Sequence, residues 1–219
     1  MSYLQEKICI KSLTKKDFEM VKNFILECHK DIENQEFFII DDIDTALPTM
    51  FTETGVVYGA FSEKVLAAVH GIDFSYENHA LISPHVLSYL TDKPLAELGW
   101  TMVKSTFRGY GLATFLIAES EKNVPEGYNL IATIHPQNVA ALKAYIRNGY
   151  CGVKLGEYYG KPRVFMMKRT DIPFAYEKTI TEGLLEEMNQ ESFLGGNMLV
   201  GIVKKNGKYY GQFAKVLQV

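Results

Sequence analysis

From residue 96 to residue 150, apolar residues alternate between strand-like and helix-like spacing, and this alternation restricts the fold more than any other feature. The segments "AELGWTMV" and "NLIATIH" are typical of strands, whereas "GLATFLIAESEKN" and "NVAALKAYIRNGY" repeat apolar residues at helical intervals. Asn138 suits the start of the second helix, and Asn148 with Gly149 suits its end. The alternation predicts an α/β or α+β mixed sheet flanked by helices.

The flanking segments extend this architecture into a main domain over residues 1–170. "KICIKSL" predicts a first strand, and Thr14 is suited to cap the helix that follows. "GVVYGAFSEKVLAAVHGIDF" predicts an antiparallel hairpin turning at residues 62–64, and "GVKLGEYYG" with "PRVFMMKRT" predicts a closing pair of strands. Residues 75–94 are expected to be irregular, and they are long enough for a connection that folds over a site.

A second series of helix-like and strand-like segments begins beyond Asp171, and it predicts a C-terminal extension over residues 171–219. "EKTITEGLLEEMN" predicts a helix, and "NMLVGIVKKNGKYYGQFAKVLQV" predicts a hairpin turning at Asn206 and Gly207. A unit of about fifty residues is at the small limit for independent folding, so we expect it to pack on the main domain or on a second subunit. Its hairpin can pair two subunits, which leaves a homodimer and an interaction module open.

Composition excludes several functional classes. The chain of 219 residues has a net charge of -3 at pH 7, which argues against a nucleic-acid partner bound by general basicity. It contains neither a signal peptide nor an apolar run of about eighteen residues, so no membrane insertion is expected. Cys9, Cys28 and Cys151 lie far apart and the histidines form no ligand pattern, so neither disulfides nor a metal is expected. A cytoplasmic protein with reduced cysteines is predicted.

The stretch "FRGYGLATF" places two glycines where a strand gives way to a helix. Glycines allow a tight turn that exposes consecutive N–H groups, and these groups with the helix dipole form an anion site suited to a pyrophosphate. Arg108 and Lys104 would add positive charge to it. A plain turn with a surface arginine is the alternative. The glycine spacing fits neither a dinucleotide-binding fingerprint nor a Walker motif.

"VKSTFRGYGLA" resembles the acyl-CoA loop of the GNAT superfamily of N-acetyltransferases. In that loop a Gln or Arg is followed, after two other residues, by a Gly and, after one more residue, by a Gly or Ala. Arg108, Gly111 and Ala113 fill these positions. "IHPQNVAALKAYIRNGY" is similar to a later motif of the family, with Asn138 and Tyr145 in the marked places. The resemblance covers residues 8–169, is specific from 97 to 150, and implies a twisted mixed sheet splayed between two central strands. It implies acetyl-CoA as co-substrate, bound by Met102, Val103, Arg108, Gly109, Tyr110, Gly111, Leu112, Ala113, Thr114, Asn138 and Tyr145.

Catalytic roles follow from the chemistry and the resemblance together. An amine with a pKa near 10.4 is about 0.04% neutral at pH 7, so its attack on a thioester needs a base. The resemblance implies Glu97 as that base and Tyr145 as the proton donor to the thiolate. It also implies that a backbone N–H near Met102 or Val103, where the family's strand carries a bulge, polarises the carbonyl. The residues alone leave simpler interpretations open, which are a solvated or ion-paired Glu97, a helix-capping Asn138 and a core tyrosine at 145.

The acceptor is less constrained. Asp41, Asp42 and Asp44 lie where the family often borders its acceptor, and they either attract a cationic amine or form a solvated acidic loop. His79 and His85 are alternative bases or incidental loop residues. The sequence therefore predicts an N-acetyltransferase acting on a primary amine of a small molecule or peptide. A non-catalytic acyl-CoA sensor is the alternative.

Overall fold

The computed structural model describes residues 8–39, 43–87, 93–168, 176–180 and 196–215. Helices and strands alternate along these ranges, which confirms the predicted mixed α/β class. Their order is β1 (Ile8–Leu13), α1 (Phe18–Lys30), α2 (Ile43–Thr49), β2 (Gly55–Ser62), β3 (Val65–Asp73), α3 (Tyr76–Val86), β4 (Leu95–Val103), α4 (Leu112–Glu121), β5 (Asn129–Ile134), α5 (Val139–Arg147), β6 (Tyr150–Tyr158), β7 (Lys161–Lys168), β8 (Tyr176–Thr179), β9 (Asn197–Lys205) and β10 (Lys208–Lys215). The chain divides into two compact units, one of Met1–Asn78 with Ala96–Tyr128 and the other of His79–Leu95 with Asn129–Val219.

In the first unit, strands β1 to β4 pair in sequence order, each antiparallel to the next. The apolar stripe of α1 packs on one face of these strands in a core that includes Val57, Val69 and Met102. Tyr58, which alternates with Val57 along β2, points to the opposite face and bonds to Asn123 just beyond α4. Helix α4 packs against β2 and β3, so the helices α1 and α4 cover opposite faces of this sheet.

The start of α1 follows the predicted capping pattern. A 3-10 turn over Lys15–Asp17 leads into the helix, and the backbone N–H of Asp17 donates to the carbonyl of Thr14 at 2.8 Å. The Asp17 carboxylate accepts in return from the Thr14 N–H at 2.8 Å and from its hydroxyl at 3.0 Å. These reciprocal bonds satisfy groups that a helix end leaves without intrahelical partners.

In the second unit the antiparallel strands follow the order β5, β7, β6, β9, β10, β8. The predicted tail hairpin forms, and it turns at Asn206 and Gly207 with φ values of 48° and 79°. Strand β9 of this hairpin pairs with β6 at Gly152 and Leu199. A Cβ on Gly152 would lie 3.1 Å from Leu199 Cβ, so glycine is what allows this close approach. The boundary near residue 170 between two domains stays a prediction.

Three local predictions are wrong or incomplete. Residues 76–86 of the segment expected to be irregular form α3, in which Ile82 and Val86 lie one turn apart and are buried. Pro84 and the polar residues scattered along α3 interrupt the apolar spacing that would have predicted a helix. Residues 43–49 form the short helix α2, where only an acidic stretch was recognised. The helix predicted from Glu177 is replaced at its start by β8, because pairing with β10 outweighs local propensity, and its remainder from 181 lies outside the described residues.

Candidate functional site

A tight loop joins the end of β4 to the start of α4 in the first unit. A 3-10 turn follows the strand over Ser105–Phe107, and Gly111 directly precedes α4. Gly109 and Gly111 have φ values of 85° and 76°, in the left-handed region that is costly for residues with a Cβ. The backbone therefore requires glycine at both positions.

The loop presents a row of backbone donors. The row is formed by Gly111 in the left-handed region and by the first residues of α4 that follow it. Leu112 and Ala113 begin a helix of 10 residues, and the first N–H groups of a helix have no intrahelical acceptors. A Cβ on Gly109 would meet no atom within 4 Å, so the space outside the loop is open. Together with the helix dipole, this row can hold an anion.

The two cations of the loop are engaged with the protein itself. Arg108 donates from Nε to the carbonyl of Val103 at 3.0 Å and from one terminal nitrogen to the carbonyl of Asp31 at 3.3 Å. Lys104 lies 2.9 Å from a carboxylate oxygen of Glu27, and this bond raises the lysine pKa. Arg108 thus ties the end of β4 to the end of α1, a structural role that the sequence did not indicate. A phosphate contact by its remaining donors stays a prediction.

Strand β4 carries a β-bulge at Trp100 and Thr101, immediately before the position at which the resemblance implies one. The pairs directly opposite each other on either side are Val69 with Met102 and Gly71 with Gly99. His70 of β3 therefore faces two residues of β4. Trp100 has a φ of 52°, which is a strained value for a bulky residue.

The bulge decides which face of the sheet Glu97 occupies. Residues an odd number apart in a regular strand point to opposite faces, and Glu97 and Met102 are such a pair. In this sheet Glu97 lies opposite Asp73 and Met102 opposite Val69, and both β3 residues share one face. Glu97 therefore shares the face of Met102, which packs in the core beneath α1.

The pairing of β4 with β3 also sets the direction of the backbone N–H groups near its end. Lys104 donates its N–H to the carbonyl of Ala67 at 2.9 Å, which makes them a hydrogen-bonded pair. Because such pairs alternate in antiparallel sheets, Met102 directs its N–H towards β3 and Val103 directs its own away. The bond from Arg108 to the Val103 carbonyl fits this orientation. Of the two predicted donors, Val103 is the one whose N–H points out of the β3 ladder.

The surroundings of Glu97 combine acidic and aromatic groups. Glu97 is half-buried and lies directly opposite Asp73. The next residue on the same face is Gly99, and a Cβ there would meet no atom within 4 Å. Trp100 contacts Phe38 edge to face, with ring centroids 5.6 Å apart. Carboxylates and aromatic rings on one face are chemically suited to an ammonium group.

His70 is a buried polar residue that the sequence analysis did not single out. It is 0% exposed, and its Nδ1 lies 2.8 Å from the Thr101 hydroxyl. Its Nε2 has no hydrogen-bond partner among the described residues. Burial lowers its pKa from 6.5 to about 3, so the ring is neutral at physiological pH. The signal available in the sequence is a single polar residue inside the apolar run "VLAAVHGI".

Helix α5 of the second unit carries the two residues of the later motif. Asn138 accepts the N–H of Ala141 through Oδ1 at 3.1 Å, so it caps the helix as the simpler interpretation held. Tyr145 is 3% exposed, and its ring meets that of Tyr150 edge to face at 5.1 Å. Contacts of Asn138 and Tyr145 with coenzyme A stay predictions.

The predicted acidic acceptor cluster is only partly described. Asp44 lies in α2 and is ion-paired with Lys22 of α1. This pair links α2 to α1 and engages one of the carboxylates that the sequence offered to a cationic acceptor. Asp41 and Asp42 lie outside the described residues.

The two histidines considered as alternative bases lie on α3 in the second unit, and both are half-buried. His85 stacks on Phe165 with ring centroids 4.0 Å apart. Burial, and secondarily the charge of Lys154, lower its pKa. A neutral, stacked imidazole fits a packing role for His85.

The described ranges contain no cluster of three or more His, Cys, Asp or Glu side chains able to hold a metal ion. Among the helices of the same ranges, none has the length and apolarity needed to cross a lipid bilayer.

No protein-family model matches the sequence, and no curated protein sequence matches it. Among solved structures, the chain is similar to the ribosomal-protein-S18-alanine N-acetyltransferase from Escherichia coli (13% identity, TM-score 0.53, 77% of this chain and 99% of that one). It is also similar to an aminoglycoside N(6')acetyltransferase from Legionella pneumophila (14% identity, TM-score 0.53, covering 76% of this chain and 92% of that one). A third similar structure is FeeM, an N-acyl amino acid synthase from uncultured soil microbes (13% identity, TM-score 0.54, covering 73% of this chain and 89% of that one). Identities this low show a shared fold.

Proposed function

We propose that this chain, which has the fold of the GNAT-type N-acetyltransferases, transfers an acetyl group from acetyl-CoA to a primary amine of a small molecule, peptide or protein. The resemblance that the two motifs indicated is confirmed at the level of the fold. The amine attacks the thioester directly, within a ternary complex. The amines named for the similar structures belong to those proteins, and the acceptor of this chain is proposed only as a class.

The observation that carries the proposal is the arrangement of β4, its loop and α4. The N–H groups of Gly111, Leu112 and Ala113 lie at the start of a helix, after a glycine-shaped turn with open space at Gly109, and this arrangement suits the pyrophosphate of coenzyme A. The same strand carries Glu97 on one face and directs the Val103 N–H away from β3. One segment thus supplies an anion cradle, a carboxylate and a backbone donor.

When bound, acetyl-CoA supplies an activated thioester. In the proposed mechanism Glu97 takes the ammonium proton of the acceptor, directly or through water, and so raises the small neutral population of the amine. The Val103 N–H stabilises negative charge on the carbonyl oxygen. The Tyr145 hydroxyl supplies the proton that the departing thiolate needs, and this role rests on the resemblance of its motif.

A thiol-release assay with acetyl-CoA tests the function. The acceptor panel comprises polyamines, amino acids, aminoglycosides and lysine peptides, and we expect release of coenzyme A with at least one of them. Thermal stabilisation by acetyl-CoA without thiol release for any acceptor would favour the non-catalytic sensor. Absence of both effects would refute acetyl-CoA as the donor.

The roles are tested by Tyr145→Phe and Glu97→Gln, with the exposed Glu53→Gln as the matched control. We expect each active-site variant to lower kcat by about 100-fold or more, since general acid–base groups contribute about 10²–10⁴-fold, and to leave acetyl-CoA affinity nearly unchanged. The control should retain wild-type turnover. An unchanged kcat in Tyr145→Phe would remove that residue from the mechanism, and a pH profile of Glu97→Gln identical to wild type would remove Glu97.

A further inference from the structure

The bulge in β4 sets the register of this strand against β3, and the alternative is a regular pairing without the extra residue. The end of β4 is anchored by the Lys104 bond to Ala67 and by Arg108. With that end fixed and no bulge, regular pairing would continue backwards from Met102 and would shift each earlier residue of β4 by one position along β3. A shift of one residue moves Glu97 and Gly99 to the opposite face of the sheet. The bulge therefore determines on which face the proposed base lies.

The bulged arrangement has an unfavourable element, because Trp100 adopts a positive φ without being glycine. Its indole packs beside Gly71, where a Cβ would lie 3.3 Å from Trp100 Cβ, and against Phe38. These contacts hold the extra residue from the α1 side of the sheet. A bond on the other side, between His70 and Thr101, spans the two strands at the same point.

His70 is an unusual occupant of its position. Its neighbours Val69 and Ile72 along β3 are apolar and buried, and an apolar residue would leave no polar atom behind, whereas His70 leaves Nε2 without a hydrogen-bond partner among the described residues. What the imidazole gains is the 2.8 Å bond from Nδ1 to the Thr101 hydroxyl, which lies 3.5 Å from the carbonyl of Gly99. Either neutral tautomer can make the bond, since the hydroxyl both donates and accepts.

We propose that His70 and Thr101 form a register lock, a hydrogen-bonded pair of positioning residues that holds the β4 bulge and thereby places Glu97 on the face where the acceptor amine is deprotonated. The proposal rests on the proposed function for its catalytic consequence. Its structural part stands on the pairing of β3 and β4 alone. Neither residue contacts reacting groups in this scheme, and both act through the position of Glu97.

Two substitutions of Thr101 separate the hydroxyl from the shape of the side chain. Thr101→Val keeps the branched shape and removes the bond, whereas Thr101→Ser keeps the hydroxyl. Ser120→Ala is the matched control, because Ser120 is also buried in the first unit and its hydroxyl donates to the carbonyl of Ile117 at 2.9 Å. We expect Thr101→Val to lower kcat by about a hundredfold, as a misplaced catalytic group does, with acetyl-CoA affinity little changed. Thr101→Ser and Ser120→Ala should stay close to wild type in kcat.

A second readout needs no activity. Trp100 is the single tryptophan of the chain and sits in the bulge, so its emission and its quenching by acrylamide report the bulge directly. We expect Thr101→Val to shift the emission to longer wavelength and to increase quenching, and Thr101→Ser and Ser120→Ala to keep the wild-type spectrum. If the wild type shows no turnover with any amine, the proposed function fails while this spectroscopic result still decides the lock.

The lock is refuted if folded Thr101→Val keeps both the kcat and the tryptophan emission of the wild type, or if Ser120→Ala changes them equally. Should Thr101→Val fail to fold, His70→Leu takes its place, because leucine removes the bond to Thr101 and leaves no polar atom at the buried position. We expect it to shift the emission and lower kcat as Thr101→Val would, whereas His70→Asn, whose amide can bond to Thr101, should stay close to the wild type. A folded His70→Leu with the emission and kcat of the wild type would overturn the proposal.

Discussion

Burial of His70 predicts a specific loss of stability in mild acid. Its pKa falls from 6.5 to about 3 on folding, because the buried site disfavours the charged ring. The unfolded chain therefore takes up the proton first as the pH falls. The contribution of His70 to stability is complete above about pH 6.5 and is lost progressively from there down to about pH 3.

The magnitude follows from the two pKa values. Between pH 7 and pH 5, protonation of the unfolded chain alone lowers the free energy of unfolding by about 2 kcal/mol, at a slope that approaches about 1.4 kcal/mol per pH unit. With a urea m-value of about 2 kcal/mol/M, the His70 contribution lowers the unfolding midpoint by about 1 M.

The assay is urea unfolding of the wild type and of His70→Asn at pH 7, 6 and 5. Carboxylates and the other histidines contribute equally to both proteins, so the difference between their pH dependences isolates His70. We expect His70→Asn to lose about 2 kcal/mol less than the wild type between pH 7 and pH 5. Ser120→Ala, which is destabilised without losing a titrating group, should keep the wild-type dependence. Equal pH-dependent losses in the wild type and His70→Asn would refute the reasoning.

Three further substitutions have expected outcomes. Gly111→Ala places a Cβ at a φ of 76° and should destabilise the fold by about 1–2 kcal/mol in urea unfolding, and calorimetry should show weaker acetyl-CoA binding. Arg108→Lys removes the Nε bond to the Val103 carbonyl; we expect a loss of about 1 kcal/mol in the free energy of unfolding, and unchanged stability would contradict its tethering role. Gly207→Ala strains the tail hairpin at a φ of 79°, so proteolysis within β9 and β10 should accelerate while an equivalent change at the exposed Lys208 has no effect.

Local spacing was sufficient to predict the elements whose burial follows a single face. Helix α1 buries Val21, Ile25 and Cys28 at intervals of three and four, and the tail hairpin turns at an Asn-Gly pair, so both are legible without tertiary information. Strand β8 is different, because Glu177 bonds to Lys205 and to Gln212, which lie far along the chain. Residues that bind distant partners adopt the conformation that those partners require.

The candidate site shows the same division more sharply. The tight turn from Arg108 to Ala113 is predictable from sequence because its glycines serve a purely local need, namely two positive φ values. The sequence predicts that Arg108 contacts a bound anion, whereas in the structure its side chain donates to the carbonyl of Asp31, 77 residues away in sequence. Residue type and local spacing indicate the position of the proposed anion site, and they do not indicate that Arg108 is already hydrogen-bonded within the fold.

The face of Glu97 is the feature that sequence alone would misplace. Strict alternation in "AELGWTMV" groups Glu97 with Thr101 and separates it from Met102. The structure reverses this grouping through one extra residue, held opposite His70, which lies 31 residues before Thr101. Because the bulge adds one residue to β4, the face on which Glu97 lies is decided by the pairing of β3 with β4. The proposed role of Glu97 as the base therefore depends on the pairing of the two strands.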